Sequence, residues 1–295
     1  MKEWPMNKDT KPIVSIVLGS YNRRAFLQGA LESVRRNGMD FPYEIIVVDG
    51  GSTDGSLAYL ESQKDVIMIV QHNRGIFRGK PVERRPWGYF MNLGFKCARG
   101  KYICMISDDC LLVPGAVQSG VDLFEKLLSE GRNIGAMAFY WRNWPEDRDY
   151  LVGTTLGGKI FVNHGLYLRK AVQEVGWIDE ENYSFYHADG DLSLKLWHRG
   201  YEVVDAPDSF VEHFLHSNVV ARKNNMEKQQ KDWQAYLRQW KDIFCNSGQK
   251  DAGGAIHKSY RDSQKICMMF PFFPRLGIRV RMVAKRIFSA VNRSR

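Results

Sequence analysis

The feature that most constrains this chain is an alternation of short apolar runs with segments of helical periodicity. Ile13 to Leu18 is an apolar run of strand length. Arg24 to Asn37 follows it, with Phe26, Leu27, Ala30, Leu31 and Val34 on one helical face and Gly38 to end it. Glu44 to Val48 reads as a second strand, Leu57 to Gln63 as a short helix, and Val66 to Val70 as a third strand. Tyr102 to Ile106 is another buried strand. Pro114 then opens a helix in which Val117, Val121, Phe124 and Leu128 share a face, proline being suited to a first turn whose N–H has no partner. Ile134 to Tyr140 is again strand-like. Strands this apolar need cover on both faces. The alternation supplies it, and predicts an α/β fold with a mostly parallel sheet flanked by helices. In such sheets ligands bind beyond the carboxyl ends of the strands.

Composition narrows the class. The chain has 295 residues, 44% hydrophobic and 25% charged, which suits a globular domain with a substantial core. No apolar run reaches the roughly 18–20 residues of a membrane span, and Met1 to Lys11 has no apolar signal segment. The five cysteines form no C-x-x-C pair, so neither a disulfide framework nor a zinc knuckle is expected, and a reducing cytoplasm fits. Cys104 reads as core. The formal net charge of +9 is concentrated in Ile256 to Arg295. Charge confined to a tail argues against a general nucleic-acid role and for one localised electrostatic partner.

Polar residues with chemical potential cluster after strand-like runs. Asp49-Gly50-Gly51-Ser52-Thr53-Asp54-Gly55 follows Ile45 to Val48. Glycines allow a tight turn close to a ligand, although the stretch also reads as a plain turn with Ser52 or Thr53 as N-cap. Ser107-Asp108-Asp109 closes the strand at Tyr102 to Ile106. Adjacent acids repel, and a divalent cation with oxygen ligands offsets them; the alternative is a solvated turn. His187-Ala188-Asp189-Gly190-Asp191 precedes a helical stretch, where acids also suit the helix dipole. His213, after Val211-Glu212, is a structural histidine or a metal ligand. No G-x-G-x-x-G follows the first strand, which disfavours a dehydrogenase.

The order of these pieces is more specific than any one of them. Val14 to Arg23, Val47 to Gly55, His72-Asn73-Arg74-Gly75, Asn92-Leu93-Gly94 with Ala98 to Tyr102, Gly176-Trp177-Ile178-Asp179-Glu180 and Ala188 to Leu192 resemble, in sequence order, the motifs of family 2 glycosyltransferases with the GT-A fold. The resemblance runs from about Pro12 to Ser217. It implies an inverting, metal-dependent transferase that moves a sugar from a nucleotide-sugar donor to an acceptor hydroxyl. The site it implies has Asp49 holding the base, Tyr21 stacking on it, and Asn22, Asp54 and Arg74 in the donor-binding motifs. Asp108 faces the ribose or diphosphate, Asp109 and His213 hold Mn2+ or Mg2+, and Asp189 is the general base, with His187 and Asp191 as acceptor or supporting residues. Two departures stand out. The first acid of the D-x-D motif falls at Ile106 or Ser107, and Ala188 replaces the acid before the base, so the choice of Asp189 over Asp191 rests on register. A basic insertion, Ile76 to Tyr89, with Arg74 beside it and Arg78, Lys80, Arg84 and Arg85 within it, is either a diphosphate contact or a solvated loop.

The resemblance further implies a UDP- or dTDP-sugar donor and a glycan or lipid-linked acceptor, in polysaccharide or lipid-linked glycan assembly. Two other readings remain: a catalytically inactive GT-A module that binds nucleotide sugar or glycan, and a nucleotidyltransferase, which Leu18 to Arg23 does not favour. The expected organisation is an N-terminal tail over 1–11, a catalytic domain over 12–220, an amphipathic helix over 221–246 packed on it through Met226, Trp233, Leu237, Trp240 and Phe244, and a linker and basic tail over 247–295. Arg275 to Arg293 can be drawn as a helix with Leu276, Val280, Val283, Ile287 and Val291 on one face, a pattern that suits docking on the anionic inner face of a membrane. No nucleic-acid partner is expected.

Overall fold

The computed structural model describes residues 11–73, 75–144, 147–214, 219–245 and 253–260; over 219–227 it describes the helix but not its side chains. The strands are β1 (Val14–Ser20), β2 (Tyr43–Asp49), β3 (Val66–Val70), β4 (Ile76–Phe77), β5 (Lys80–Pro81), β6 (Tyr102–Ser107), β7 (Cys110–Leu112), β8 (Ile134–Asn143), β9 (Tyr150–Gly153), β10 (Gly165–Leu168), β11 (Glu202–His213) and β12 (Ala255–Lys258). The helices are α1 (Arg24–Arg35), α2 (Ser56–Glu61), α3 (Trp87–Cys97), α4 (Ala116–Ser129), α5 (Arg169–Glu174), α6 (Ala188–His198) and α7 (Val219–Phe244).

One sheet carries the fold, with strand order β12-β9-β8-β10-β6-β1-β2-β3 and with β11 paired to both β8 and β7. From β3 through β2 and β1 to β6 every pairing is parallel. β1, β2 and β6 are near-continuous apolar runs because both of their faces are covered, whereas β3 at the end of the sheet is only half-buried. Beyond β6 the sheet is mixed: β10 runs antiparallel between β6 and β8, β11 parallel to β8, and β7 antiparallel to β11. The expected mostly parallel sheet therefore describes the first half, where helical crossovers join the strands. In the second half loops replace some crossovers and allow reversal.

Two apolar layers sandwich the sheet. One packs α1 and α4 through Leu27, Leu31, Val117, Val121 and Phe124 against Ile16, Leu18 and Phe139. The other packs α3, α5, α6 and α7 through Phe95, Val172, Leu192, Tyr236 and Trp240 against Val17, Ile46 and Tyr167. α4 begins at Ala116 and not at Pro114, because Gly115 takes φ +85°, outside the helical region. The side chain of Asn37 stitches that entry: Nδ2 donates to the Val113 carbonyl at 2.9 Å and Oδ1 accepts from the Val117 N–H at 2.9 Å.

α7 starts at Val219, ahead of the expected 221, and packs through Trp233, Trp240 and Phe244. Its strongest tie is a residue the apolar stripe passes over. Asp232 is fully buried, and its carboxylate accepts the backbone N–H groups of Ser184, Phe185 and Tyr186, each at 2.9 Å. β12 adds antiparallel to β9, and Tyr260 stacks on Phe210 with ring centroids 4.1 Å apart. The basic segment counted from Ile256 thus begins inside the sheet. The drawn helix over Arg275 to Arg293 and the N-terminal tail over 1–10 lie outside the described residues.

Candidate functional site

The carboxyl ends of β1, β2, β6 and β11 and the start of α6 border one open cavity of about 570 Å³. Tyr21, Arg23, Asp108, Asp109, His164, His187, Asp189 and His213 are among its lining residues. The residues nominated from distant parts of the sequence are therefore largely brought together.

On the donor side, β1 delivers Ser20, Tyr21, Asn22 and Arg23. Tyr21 packs over Gly50, where an added Cβ would lie 3.0 Å from the ring. Asn22 sits at φ 51°; its N–H donates to Ser52 Oγ at 2.8 Å, and its Oδ1 accepts from the Thr53 N–H at 2.7 Å, so it locks two strand-end loops together. Asp49 is fully buried, and its carboxylate is engaged by its own loop: Oδ1 accepts from the N–H groups of Gly51 at 2.8 Å and Ser52 at 2.7 Å, and Oδ2 from Ser52 Oγ at 2.7 Å. Among these loop residues it is Gly50, not Asp49, that faces the cavity. Gly51 takes φ +87° against His72, and any side chain there would collide with that ring. Asp54 is exposed; it accepts from the Arg24 N–H at 2.8 Å and from Ser56 Oγ at 2.6 Å, which ties the starts of α1 and α2. Arg74 lies outside the described residues. Within the insertion, Arg84 and Arg85 reach the cavity, while the short hairpin β4–β5 stands away from it with Ile76 exposed.

At the end of β6 the two acids are almost buried, 3% exposed at Asp108 and 8% at Asp109. Arg23, which the motif contains but to which no role was assigned, places Nη1 3.0 Å from Asp108 Oδ1 and 2.8 Å from Asp109 Oδ2. Ser20 Oγ donates to Asp108 Oδ2 at 2.9 Å. Burial pushes the Asp108 carboxyl above its ordinary range, Arg23 opposes that, and the charge of Asp109 adds to it. His213 Nε2 lies 3.6 Å from Asp109 Oδ1, and its Nδ1 is 3.1 Å from Asn143 Oδ1. Burial lowers the His213 pKa, with Asp109 opposing, which favours the neutral ring that metals bind. One ligand atom each from Asp109, Cys110 and His213 lies within 4.8 Å of the others.

Across the cavity, Asp189 is half-buried in the first turn of α6, with Oδ2 accepting from Asn163 Nδ2 at 3.0 Å. Asp191 points elsewhere. It is fully buried, accepts from Trp240 Nε1 at 2.8 Å and from Tyr183 at 3.2 Å, and pairs with Lys195 at 3.1 Å, fastening α6 to α7. His187 holds φ 68° and packs against Trp233 and Tyr236 at centroid distances of 5.0 and 5.4 Å. Burial lowers its pKa. Asn163 and His164 carried no local signal in the sequence, since they lie in a loop before a short strand and gain meaning only by proximity.

Residues 15–154 match the sequence model of Glycosyl transferase family 2. An uncharacterized glycosyltransferase of Bacillus subtilis, YfnE, is 28% identical over 132 residues, which cover 43% of this chain and 30% of that protein. Chondroitin synthase of Escherichia coli is 31% identical over 147 residues, covering 45% of this chain and 20% of that protein. The chain thus matches less than a third of either relative's length. In architecture it is similar to a mannosyltransferase of Pyrobaculum calidifontis solved with GDP-mannose and Mn2+, with a TM-score of 0.55 at 17% identity, over 78% of this chain and 65% of that one. Among the described residues, no helix is long and apolar enough to cross a membrane. Over residues 15–154, just under half of its length, the chain is similar to glycosyl transferase family 2, and the sheet built around them has the GT-A fold.

Proposed function

We propose that the chain is an inverting glycosyltransferase that moves a sugar from a nucleotide-diphosphate sugar to an acceptor hydroxyl. The observation that carries this reading is the placement of Asp189 on the same cavity as Asp108, Asp109 and His213, which separates a carboxylate for the acceptor from an acidic, imidazole-bearing group for the diphosphate. The nucleotide lies over the loops after β1 and β2, with Tyr21 against the base and Asp49 acting by shaping the Gly50-Gly51 backbone. Asp189, as a carboxylate, accepts the proton of the attacking hydroxyl, help worth about 10²–10⁴ in rate. Asn163 holds its second oxygen in place. One base and, among the described residues, no second nucleophile placed beside it support direct displacement at the anomeric carbon.

The residues present suit a divalent cation. Two adjacent, nearly buried acids already draw Arg23 onto themselves, and His213 offers a neutral ring beside Asp109. Asp109 and His213 would hold Mn2+ or Mg2+, with Asp108 close by, and the ion would offset charge on the departing diphosphate. The Pyrobaculum structure contains GDP-mannose with Mn2+, which supports the donor class. A UDP- or dTDP-sugar remains our choice of nucleotide, and a glycan or lipid-linked acceptor in polysaccharide assembly our choice of acceptor. We place the enzyme in the cytoplasm, with the basic tail docking it on the anionic inner face of the membrane.

A donor screen with purified full-length chain, reading released nucleotide with Mn2+, with Mg2+ and with chelator, tests the central reading. Turnover that vanishes on chelation and returns with metal is expected, with Asp109→Asn costing more than Asp108→Asn. Full activity in excess chelator would remove the metal, and donor binding without turnover would favour the inactive module. Co-sedimentation with anionic liposomes, compared with a chain ending at Tyr260, tests the tail; equal recovery of the two at low salt removes the docking role.

A further inference from the structure

Beside the two residues assigned above to the cation lies a third potential ligand that the proposed reaction does not use. Cys110 opens β7 directly after Asp109 and pairs in register with His213 on β11, so both side chains stand on the same face. Its Sγ belongs to the group of three ligand atoms within 4.8 Å of one another. In a tetrahedral zinc-type site, sulfur and nitrogen ligands lie roughly 3.6 Å apart, so rotation of side chains closes the difference. His164 places Nε2 3.5 Å from the same sulfur, which is the hydrogen-bonding partner of its ring among the described residues. His164 is 3% exposed yet reaches the cavity wall, and its ring lies 5.7 Å from that of His213.

We propose that Asp109, Cys110 and His213 form a mixed oxygen, sulfur and nitrogen cation site, with His164 orienting the sulfur, and that this site takes a zinc-class ion, Zn2+ or Co2+, in preference to Mg2+. The inference rests on the reading of Asp109 and His213 as metal ligands and adds the softer donor that decides which ion is held. A thiolate strongly favours Zn2+ and Co2+ over Mg2+, which prefers an all-oxygen shell with several waters. Binding releases the Cys110 proton to solvent. A dication lying against the sulfur would offset the cost of burying a thiolate there.

The test is a titration of chelator-treated, full-length chain with Co2+, following the near-ultraviolet charge-transfer band that marks a thiolate bound to cobalt. The band is expected to saturate at one equivalent, to disappear when Zn2+ is added, and to survive a large excess of Mg2+. Cys110→Ser should lose it, whereas Cys97→Ser, Cys245→Ser and Cys267→Ser should keep it. Because Cys110 also packs in the apolar layer under α1 and α4, Asp109→Asn and His164→Gln serve as second variants. Both leave the sulfur in place, and each should weaken Co2+ binding by about tenfold or more. Absence of the band in the unaltered chain, or its persistence in Cys110→Ser, overturns the inference. Sugar transfer supported by Mn2+ in a chain without the band overturns this inference alone and leaves the proposed function standing. An intact band in a chain that transfers no sugar from any donor supports the site and counts against the function.

Discussion

In the parallel half of the sheet, each site residue follows the strand that aims it. Ser20 ends β1 with Tyr21 next, Asp49 ends β2 with Gly50 next, and Ser107 ends β6 with Asp108 and Asp109 next. In the mixed half the order is different: Asp189 stands on α6, its partner Asn163 in a loop before β10, and His213 at the end of β11, while α7 fixes the approach to Asp189 from outside the sheet. Backbone continuity positions the first set, and long-range side-chain contacts position the second. Damage should therefore be local in the parallel half and propagate in the mixed half.

The largest effect that tests this division belongs to Asp189→Asn, which keeps the hydrogen bond from Asn163 within reach but cannot accept a proton. Sugar transfer should fall by about 10²–10⁴, while calorimetric binding of the donor nucleotide stays near that of the unaltered chain. A comparable loss of donor binding would break the proposed separation of the two halves. Asp191→Asn comes next and should act through stability. It leaves Lys195, whose side chain is only 18% exposed, without its counter-charge, which costs about 3 kcal/mol and is read as a lower denaturant midpoint. If Asp191→Asn instead abolishes transfer in a fully stable protein, the base has been assigned one acid too early.

Smaller changes sharpen the contrast. Asp232→Ala removes the acceptor of three backbone N–H groups, and a cost of about 2 kcal/mol is expected. The same variant should raise hydrogen exchange at Ser184 to Tyr186 and lower transfer, because that segment leads to His187 and Asp189. Unchanged exchange there would show that the loop stands without α7. Asn37→Ala is the counterpart in the first half. It unstitches the entry to α4 at a cost of about 1 kcal/mol, read by thermal melting, and should leave the rate of transfer per folded molecule untouched.

This division also explains what the sequence made legible. β1, β2 and β6 announce themselves because burial on both faces demands unbroken apolar runs, and their site residues lie within a few positions in the chain. The roles of Asp49 and Asp54 were harder to read, because a carboxylate that caps its own loop has the same sequence signature as one that faces a ligand. Arg23 sat in plain view, but its placement on Asp108 and Asp109 depends on the register between β1 and β6. Asn163, His164 and Asp232 had no local mark at all: a polar residue in a loop, or on the buried side of a helix, acquires its meaning from a partner tens of residues away. Gly115 shows the limit of a proline rule, since the residue after Pro114 takes a conformation that postpones the helix.

The addition of β12 to β9 has a consequence for handling the molecule. An uncovered strand edge offers a row of unpaired amides and carbonyls to any other chain. Here Ala255 to Lys258 occupy that row along β9, and Tyr260 anchors the cover by its stack on Phe210. Shortening the protein ahead of Ala255 would strip this guard and leave Tyr150 to Gly153 as a template for self-association. Precipitation of such a shortened chain would then report a lost edge cover rather than a lost membrane partner, and light scattering at rising protein concentration, with and without residues 253–260, separates the two.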